Sequence, residues 1–234
     1  MKKDGLTKNT LLLAVGVLIN KGLLLIMLPY FSRWLSVGEF GTFDLLSTYV
    51  TLLLPVVTLS CGEGMFRFSI DAHTVEEKQP FVSNALAIAL VNGAIACAAL
   101  FVIQGATGWP LALPFALLMI GQVLNAHLQS FLRSIKRLNV YSFTSAISTL
   151  CIALCVTYLI LVRGLRLEGI LYGYALGFLL GDAVIVLWMR YWRYVRVRKV
   201  SGPVLRQLIG YSFPLIPNDI SWWVMNASDR FIIN

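Results

Sequence analysis

The chain has 234 residues, of which 58% are hydrophobic and only 13% charged, with a mean hydropathy of +0.78; a water-soluble domain of that length carries roughly twice that charged fraction, so water is not its main solvent. Lipid offers backbone groups no hydrogen-bond partners, which restricts a spanning chain to helices or a closed barrel, and the long apolar blocks exclude the alternating polarity of barrel strands. The net charge of +8 leaves nucleic acid or an anionic membrane surface open until the basic residues are placed.

Taken in chain order, Lys2, Lys3 and Lys8 followed by the apolar run 11–19 imitate a secretory leader. The imitation fails at Asn20 and Lys21, where no small-x-small cleavage site follows and apolar character resumes through Leu28. An uncleaved first helix is therefore expected at 10–31. A spanning helix needs about 20 mostly apolar residues, and six further segments meet that length at 41–62, 81–103, 110–130, 143–162, 169–189 and 208–228. The third and fourth are separated by Gln104-Gly105-Ala106-Thr107-Gly108-Trp109-Pro110, in which glycine and proline break the helix and Trp109 suits the membrane interface. The expectation is an all-α, polytopic transmembrane bundle of about seven helices. Residues 1–200 would form a six-helix bundle with a basic loop, and 201–234 the start of a second bundle.

Basic residues resist translocation, so their distribution orients the chain. With the N-terminus in the cytoplasm, fourteen of the nineteen fall on the cytoplasmic side: Lys2, Lys3, Lys8, Arg67, Lys78, Arg133, Lys136, Arg137, Arg190, Arg193, Arg196, Arg198, Lys199 and Arg206. Only Arg33, Arg163 and Arg166 fall opposite, while Lys21 and Arg230 lie within or at the ends of helices. The run 190–199, interleaved with Tyr191, Trp192 and Tyr194, has the aromatic and cationic make-up of a nucleic-acid patch. Its place at the end of an apolar helix points instead to an anchor at anionic lipid headgroups, with no nucleic-acid partner.

Catalytic machinery is hard to assemble. His73 and His127 are the only histidines, neither lies in a metal or nucleophile motif, and no enzyme or cofactor is expected. Cys61, Cys97, Cys151 and Cys155 all sit in apolar stretches, where a thiol is a packing residue. Charges inside the membrane carry more information, because holding one in hydrocarbon costs on the order of 2.5 to 3.5 kcal/mol and it usually faces a cavity or a partner.

Three such charges stand out. Lys21 lies thirteen residues beyond Lys8, about 20 Å into its helix, too deep to snorkel back easily. Asp219 sits at comparable depth, and Leu18-Ile19-Asn20-Lys21 echoes Ile216-Pro217-Asn218-Asp219, so Lys21 and Asp219 are expected to line a cavity as a pair. Asp182 is either a further cavity-lining group or a packing hydrogen-bond group, and its surroundings favour packing: Gly169, Gly173, Gly177 and Gly181 recur every fourth residue and put four glycines on one helix face. Pro29, Pro55, Pro214 and Pro217 fall within apolar segments, where each removes a backbone donor and can bend the helix.

Three stretches carry a family likeness: Leu28-Pro29-Tyr30-Phe31-Ser32-Arg33-Trp34-Leu35-Ser36 with Glu39-Phe40-Gly41; Pro55 onward to Met65-Phe66-Arg67-Phe68; and Tyr211-Ser212-Phe213-Pro214-Leu215-Ile216-Pro217-Asn218 leading to Ser228-Asp229-Arg230. On them the chain resembles the N-terminal half of oligosaccharide flippases of the polysaccharide-transporter branch, in the MOP superfamily that also holds MATE-like drug and toxin extruders. The resemblance implies two bundles around a central cavity that alternately opens to each side. It implies transport of undecaprenyl-diphosphate-linked oligosaccharide across a bacterial inner membrane, serving lipopolysaccharide O-antigen, capsule or exopolysaccharide synthesis, with polysaccharide polymerase and chain-length proteins as partners. It also implies a cationic lumen, for which Lys21, Arg67 and Arg230 are the matching residues. The family has about twelve to fourteen helices, so this chain is expected to be a truncated frame, a fragment or half of an assembly. A cation-coupled exporter of small molecules, a membrane glycosyltransferase and an inactive remnant are the alternatives.

Overall fold

The computed structural model describes residues 33–232 together with 22, 25, 27, 29 and 30, with side chains through residue 225. The described residues of 22–34 are helical; most of the expected first span, Lys21 included, lies outside the described residues. Eight α-helices follow in the described part: α1 (Val37–Thr58), α2 (Cys61–Ser69), α3 (Val75–Thr107), α4 (Ala112–Ser134), α5 (Leu138–Leu161), α6 (Leu167–Trp188), α7 (Gly202–Ser212) and α8 (Ile216–Ile232), with short 3-10 turns at Tyr191–Arg193, Val197–Lys199 and Phe213–Leu215. Five of them, α1 and α3 to α6, are long and apolar enough to cross a membrane. The protein is an all-α transmembrane bundle, as the apolar blocks require.

Helix starts follow local chemistry. Ser36 caps α1 in a reciprocal box: its hydroxyl accepts from the Glu39 amide, while the Glu39 carboxylate accepts the Ser36 amide at 2.8 Å. Thr74 caps α3 by accepting the Glu77 amide, while the Glu77 carboxylate accepts the amide of His73. Two predicted spans are divided. The segment 41–62 does not run through, because α1 stops at Thr58 and Leu59 and Ser60 both take left-handed backbone, φ 49° and 48°, before α2 starts. The segment 208–228 is interrupted by the 3-10 turn around Pro214, whose ring removes a helical donor.

The most extensive helix pairing is α5 with α6, and the glycine stripe explains it. A Cβ at Gly173 would lie 2.7 Å from Val156 Cα, one at Gly181 2.9 Å from Ser148 Cα, and one at Gly177 would collide with Ile152 Cα. Gly169 meets Ile160 in the same antiparallel register. Without side chains at these positions, the two backbones come into direct contact, which in lipid replaces the hydrophobic drive that water supplies elsewhere. Gly121 of α4 likewise lies against Ala175 and Phe178 of α6.

The buried side chains form two apolar clusters. One holds Phe43, Leu46 and Val50 of α1 with Phe115 and Met119 of α4 and Val156 and Ile170 of the α5–α6 pair. The other joins Met65 of α2, Val82 and Ile88 of α3, Phe131 and Leu132 of α4, Ile185 of α6 and Leu208 of α7. The interruption of the helix at Leu59 and Ser60 lies beside a cavity.

Candidate functional site

A cavity of about 430 Å³ opens where α1, α2, α3, α4, α5 and α8 meet. Thr51, Leu54, Pro55 and Thr58 line it from α1, at the spacing of one helix face. Ala126, Gln129, Ser130 and Arg133 do so from α4, together with His127. Ser60 and the first turn of α2, Cys61, Gly62 and Glu63, form the wall at the break, with Ala85 and Ala89 of α3, Tyr141 of α5 and Asp219 of α8 completing it.

Glycine again favours the close approach: a Cβ at Gly62 would lie 3.0 Å from the Ser130 Cβ, so a side chain there would push α2 away from α4 or displace Ser130. That contact brings Glu63 to Arg133. The guanidinium donates from Nη2 to Glu63 Oε1 at 2.6 Å and to Ser130 Oγ at 2.9 Å, and lies 5.7 Å from the centre of the Phe66 ring. Both members of the pair keep contact with solvent space, 34% and 41% exposed, so the pair contributes little to stability and is available to a ligand. Across the cavity the Ser60 hydroxyl donates to Asp219 Oδ2 at 2.7 Å, tying α8 to the left-handed turn. Trp223 reinforces this link by donating its indole N–H to the Thr48 carbonyl and the Thr51 hydroxyl of α1. Gln129 Oε1 is buried and has no hydrogen-bond partner among the described residues, leaving an acceptor for a donor brought by a ligand or water.

Below the cavity, His127 bonds through Nε2 to the Tyr191 hydroxyl at 2.6 Å, and Phe131 packs edge-on against both Tyr191 and Tyr194 at 4.9 Å. Burial pushes the Tyr191 hydroxyl well above the usual phenol range, so it stays neutral. The segment after α6 is thereby fixed to α4.

The residues singled out in the sequence fall in different places. Asp219 lines the cavity. Arg67 does not: it pairs with Asp71 one turn on, at 3.2 Å, at the exposed end of α2. Asp182 is not among the lining residues either; it is 5% exposed at the contact of α6 with α4, where Asn125 donates to its Oδ1 at 2.8 Å. Lys21 and the Arg230 side chain lie outside the described residues. Sequence reasoning passed over Glu63, treated Arg133 only as a loop cation, and gave Gln129 no role. Among the described lining residues two carboxylates, Glu63 and Asp219, face one guanidinium, so this part of the lumen is not predominantly cationic. No group of three or more metal-ligating side chains occurs among the described residues.

A family model described as "Polysaccharide biosynthesis protein" matches residues 6–234. No curated protein matches significantly. Among solved structures, the chain is similar to the outward-facing conformation of a multidrug resistance MATE family transporter of the MOP superfamily, with a TM-score of 0.68 and 15% identity, over 92% of this chain and 53% of that one. At that identity the likeness is one of fold, and the chain spans about half the length of the transporter it resembles.

Proposed function

The chain belongs to the polysaccharide biosynthesis protein family, and from that premise we propose that it forms part of a membrane transporter moving lipid-linked oligosaccharide, carried on undecaprenyl diphosphate, across a bacterial inner membrane. The observation that carries this reading is the cavity inside the bundle. A polyhydroxylated, anionic cargo needs three things from a lumen: a cation for phosphate, acceptors for hydroxyl groups, and walls whose own charges are weakly held. Arg133 supplies the first, since a guanidinium's paired N–H groups match phosphate oxygens and only its Nη2 is engaged by Glu63 and Ser130 among the described residues. Gln129 Oε1 and the Asp219 carboxylate supply acceptors. The half-exposed Glu63–Arg133 pair supplies the third, because a phosphate can replace Glu63 as the guanidinium's partner.

The fourteen-to-three distribution of basic residues supports an orientation with the 190–199 connection in the cytoplasm, so that cargo is loaded from the side where such intermediates are assembled. The decisive experiment deletes the gene, measures surface polysaccharide, and complements with the chain and with Arg133→Gln. Loss of polymer is expected on deletion, with export reduced on the order of ten-fold in the Arg133→Gln strain relative to the unsubstituted chain, the size of a lost charge-assisted hydrogen bond. Normal polymer in the deletion strain removes the reading.

One observation favours a second reading, export of small organic cations: the excess of carboxylate over guanidinium in the described lining. Ethidium accumulation in the same strains separates the two, since a cation exporter lowers cellular dye and loses that ability in Asp219→Asn while polysaccharide is untouched.

A further inference from the structure

We propose that the connection between α6 and α7 is a preformed docking surface for the anionic phospholipid headgroups of the bilayer, held in shape by a buried polar strip on α3.

The charge pattern comes first. From residue 183 to residue 218 the chain contains no Asp or Glu, while Arg190, Arg193, Arg196, Arg198 and Lys199 crowd one short stretch. All five are exposed, and none forms an ion pair with any described residue, although Glu76 and Glu77 lie within a turn of the strip that holds the segment. Trp192 and Val197 stand among them, 51% and 84% exposed. A cluster of unpaired cations interleaved with exposed indole and aliphatic groups matches a surface whose outer layer is phosphate and whose inner layer is acyl chain.

The depth of the segment agrees. α3 has 33 residues, about 50 Å of helix against a hydrocarbon core of roughly 30 Å, so its ends reach beyond the core. The strip that holds the connection, Gln79, Ser83 and Asn84, lies within the first ten residues of α3, before its long apolar part. These three residues are 7%, 2% and 0% exposed, and each bonds the backbone of the connection, Asn84 sharing its amide with the Pro80 carbonyl of α3. Gln79 Nε2 donates to the Arg193 carbonyl at 3.0 Å, the Arg196 amide donates to Ser83 Oγ at 2.8 Å, and Asn84 both donates to the Lys199 carbonyl and accepts the Ser201 amide at 3.0 Å. Tyr191, bonded to His127, pins the other margin. A loop kept in water merely by its charges needs no such clamps. Fixing the backbone at 193, 196 and 199 presents the cations without the ordering entropy that a free basic loop surrenders on binding.

The test uses the full chain, purified in a zwitterionic detergent and offered equal phosphatidylglycerol and phosphatidylcholine, with retained lipids counted by native mass spectrometry. The unsubstituted chain should retain phosphatidylglycerol at least ten-fold over phosphatidylcholine, on the order expected for several cations at an anionic surface, and the ratio should fall in about 0.5 M salt. R193Q/R196Q/R198Q/K199Q should bring the ratio to within about two-fold of unity, given the loss of four such charges. Q79L/S83A keeps every cation but releases the clamps at residues 193 and 196, leaving those of Asn84, and should lower the ratio at least three-fold while the chain stays monodisperse. A ratio unchanged in either variant overturns the proposal. So does displacement of phosphatidylglycerol by inorganic phosphate, which would make the surface a free-anion site, or by a single-stranded oligonucleotide, which would make it a nucleic-acid site.

Discussion

The α5–α6 seam and the cavity between α1, α2, α4 and α8 solve opposite problems with the same residue type. Along the seam, the absence of side chains at every fourth residue lets two backbones meet directly over four successive turns. At the cavity, Gly62 brings α2 near enough to α4 for Glu63 to reach Arg133, and the polar contacts there are few: a half-exposed ion pair and the single Ser60–Asp219 hydrogen bond. One half of the bundle is built to stay fixed. The other is assembled from contacts that can be exchanged one at a time, which is what a binding site requires of its walls.

Substitutions can break or sharpen that contrast. The largest effect is expected from Gly177→Leu, whose side chain would have to enter the backbone of α5 at Ile152; a loss of about 3 kcal/mol should appear as a sharp drop in the thermal unfolding midpoint in detergent. Gly93→Ala in α3 is the matched control, because open space surrounds Gly93, and it should gain up to about 1 kcal/mol from helix propensity. Next, Tyr191→Phe strands the buried His127 Nε2 without its partner and should cost about 1 to 2 kcal/mol. At the cavity, Glu63→Gln should change stability by less than about 1 kcal/mol in the same unfolding measurement, since its pair with Arg133 is half-exposed. An unfolding shift as large as that of Gly177→Leu would dissolve the distinction between the fixed and the exchangeable half. Smallest of all, Ser148→Ala removes a buried hydroxyl with no hydrogen-bond partner among the described residues and should be neutral or stabilising by up to about 1 kcal/mol.

Much of the seam could be read from the sequence, and little of the cavity. Glycines at every fourth position fall on one helix face whatever the neighbours are, so a local pattern reports a tertiary contact. Spanning helices are equally local, because each must satisfy its own backbone in lipid. The cavity depends on Glu63 meeting Arg133 across 70 residues of chain, which no window of sequence displays. It depends also on the end of α1, where Leu59 and Ser60 adopt a backbone that normally signals itself through glycine or asparagine. Seen as a string, Leu-Ser-Cys continues the apolar block, and the expected span 41–62 ran on past the true stop at Thr58. The polar strip on α3 went unread, with Ser83 and Asn84 absorbed into the expected span 81–103, because their partners are backbone groups more than a hundred residues away.

The length of α3 carries a mechanical consequence. A rod of about 50 Å pivoting about its middle sweeps each tip through roughly 4 Å for every 10° of tilt. Because the first turns of α3 grip the arginine-rich segment while Ala85 and Ala89, just beyond that grip, line the cavity, rocking this one helix would act as a lever, converting a small change in cavity shape into a larger displacement at the water boundary.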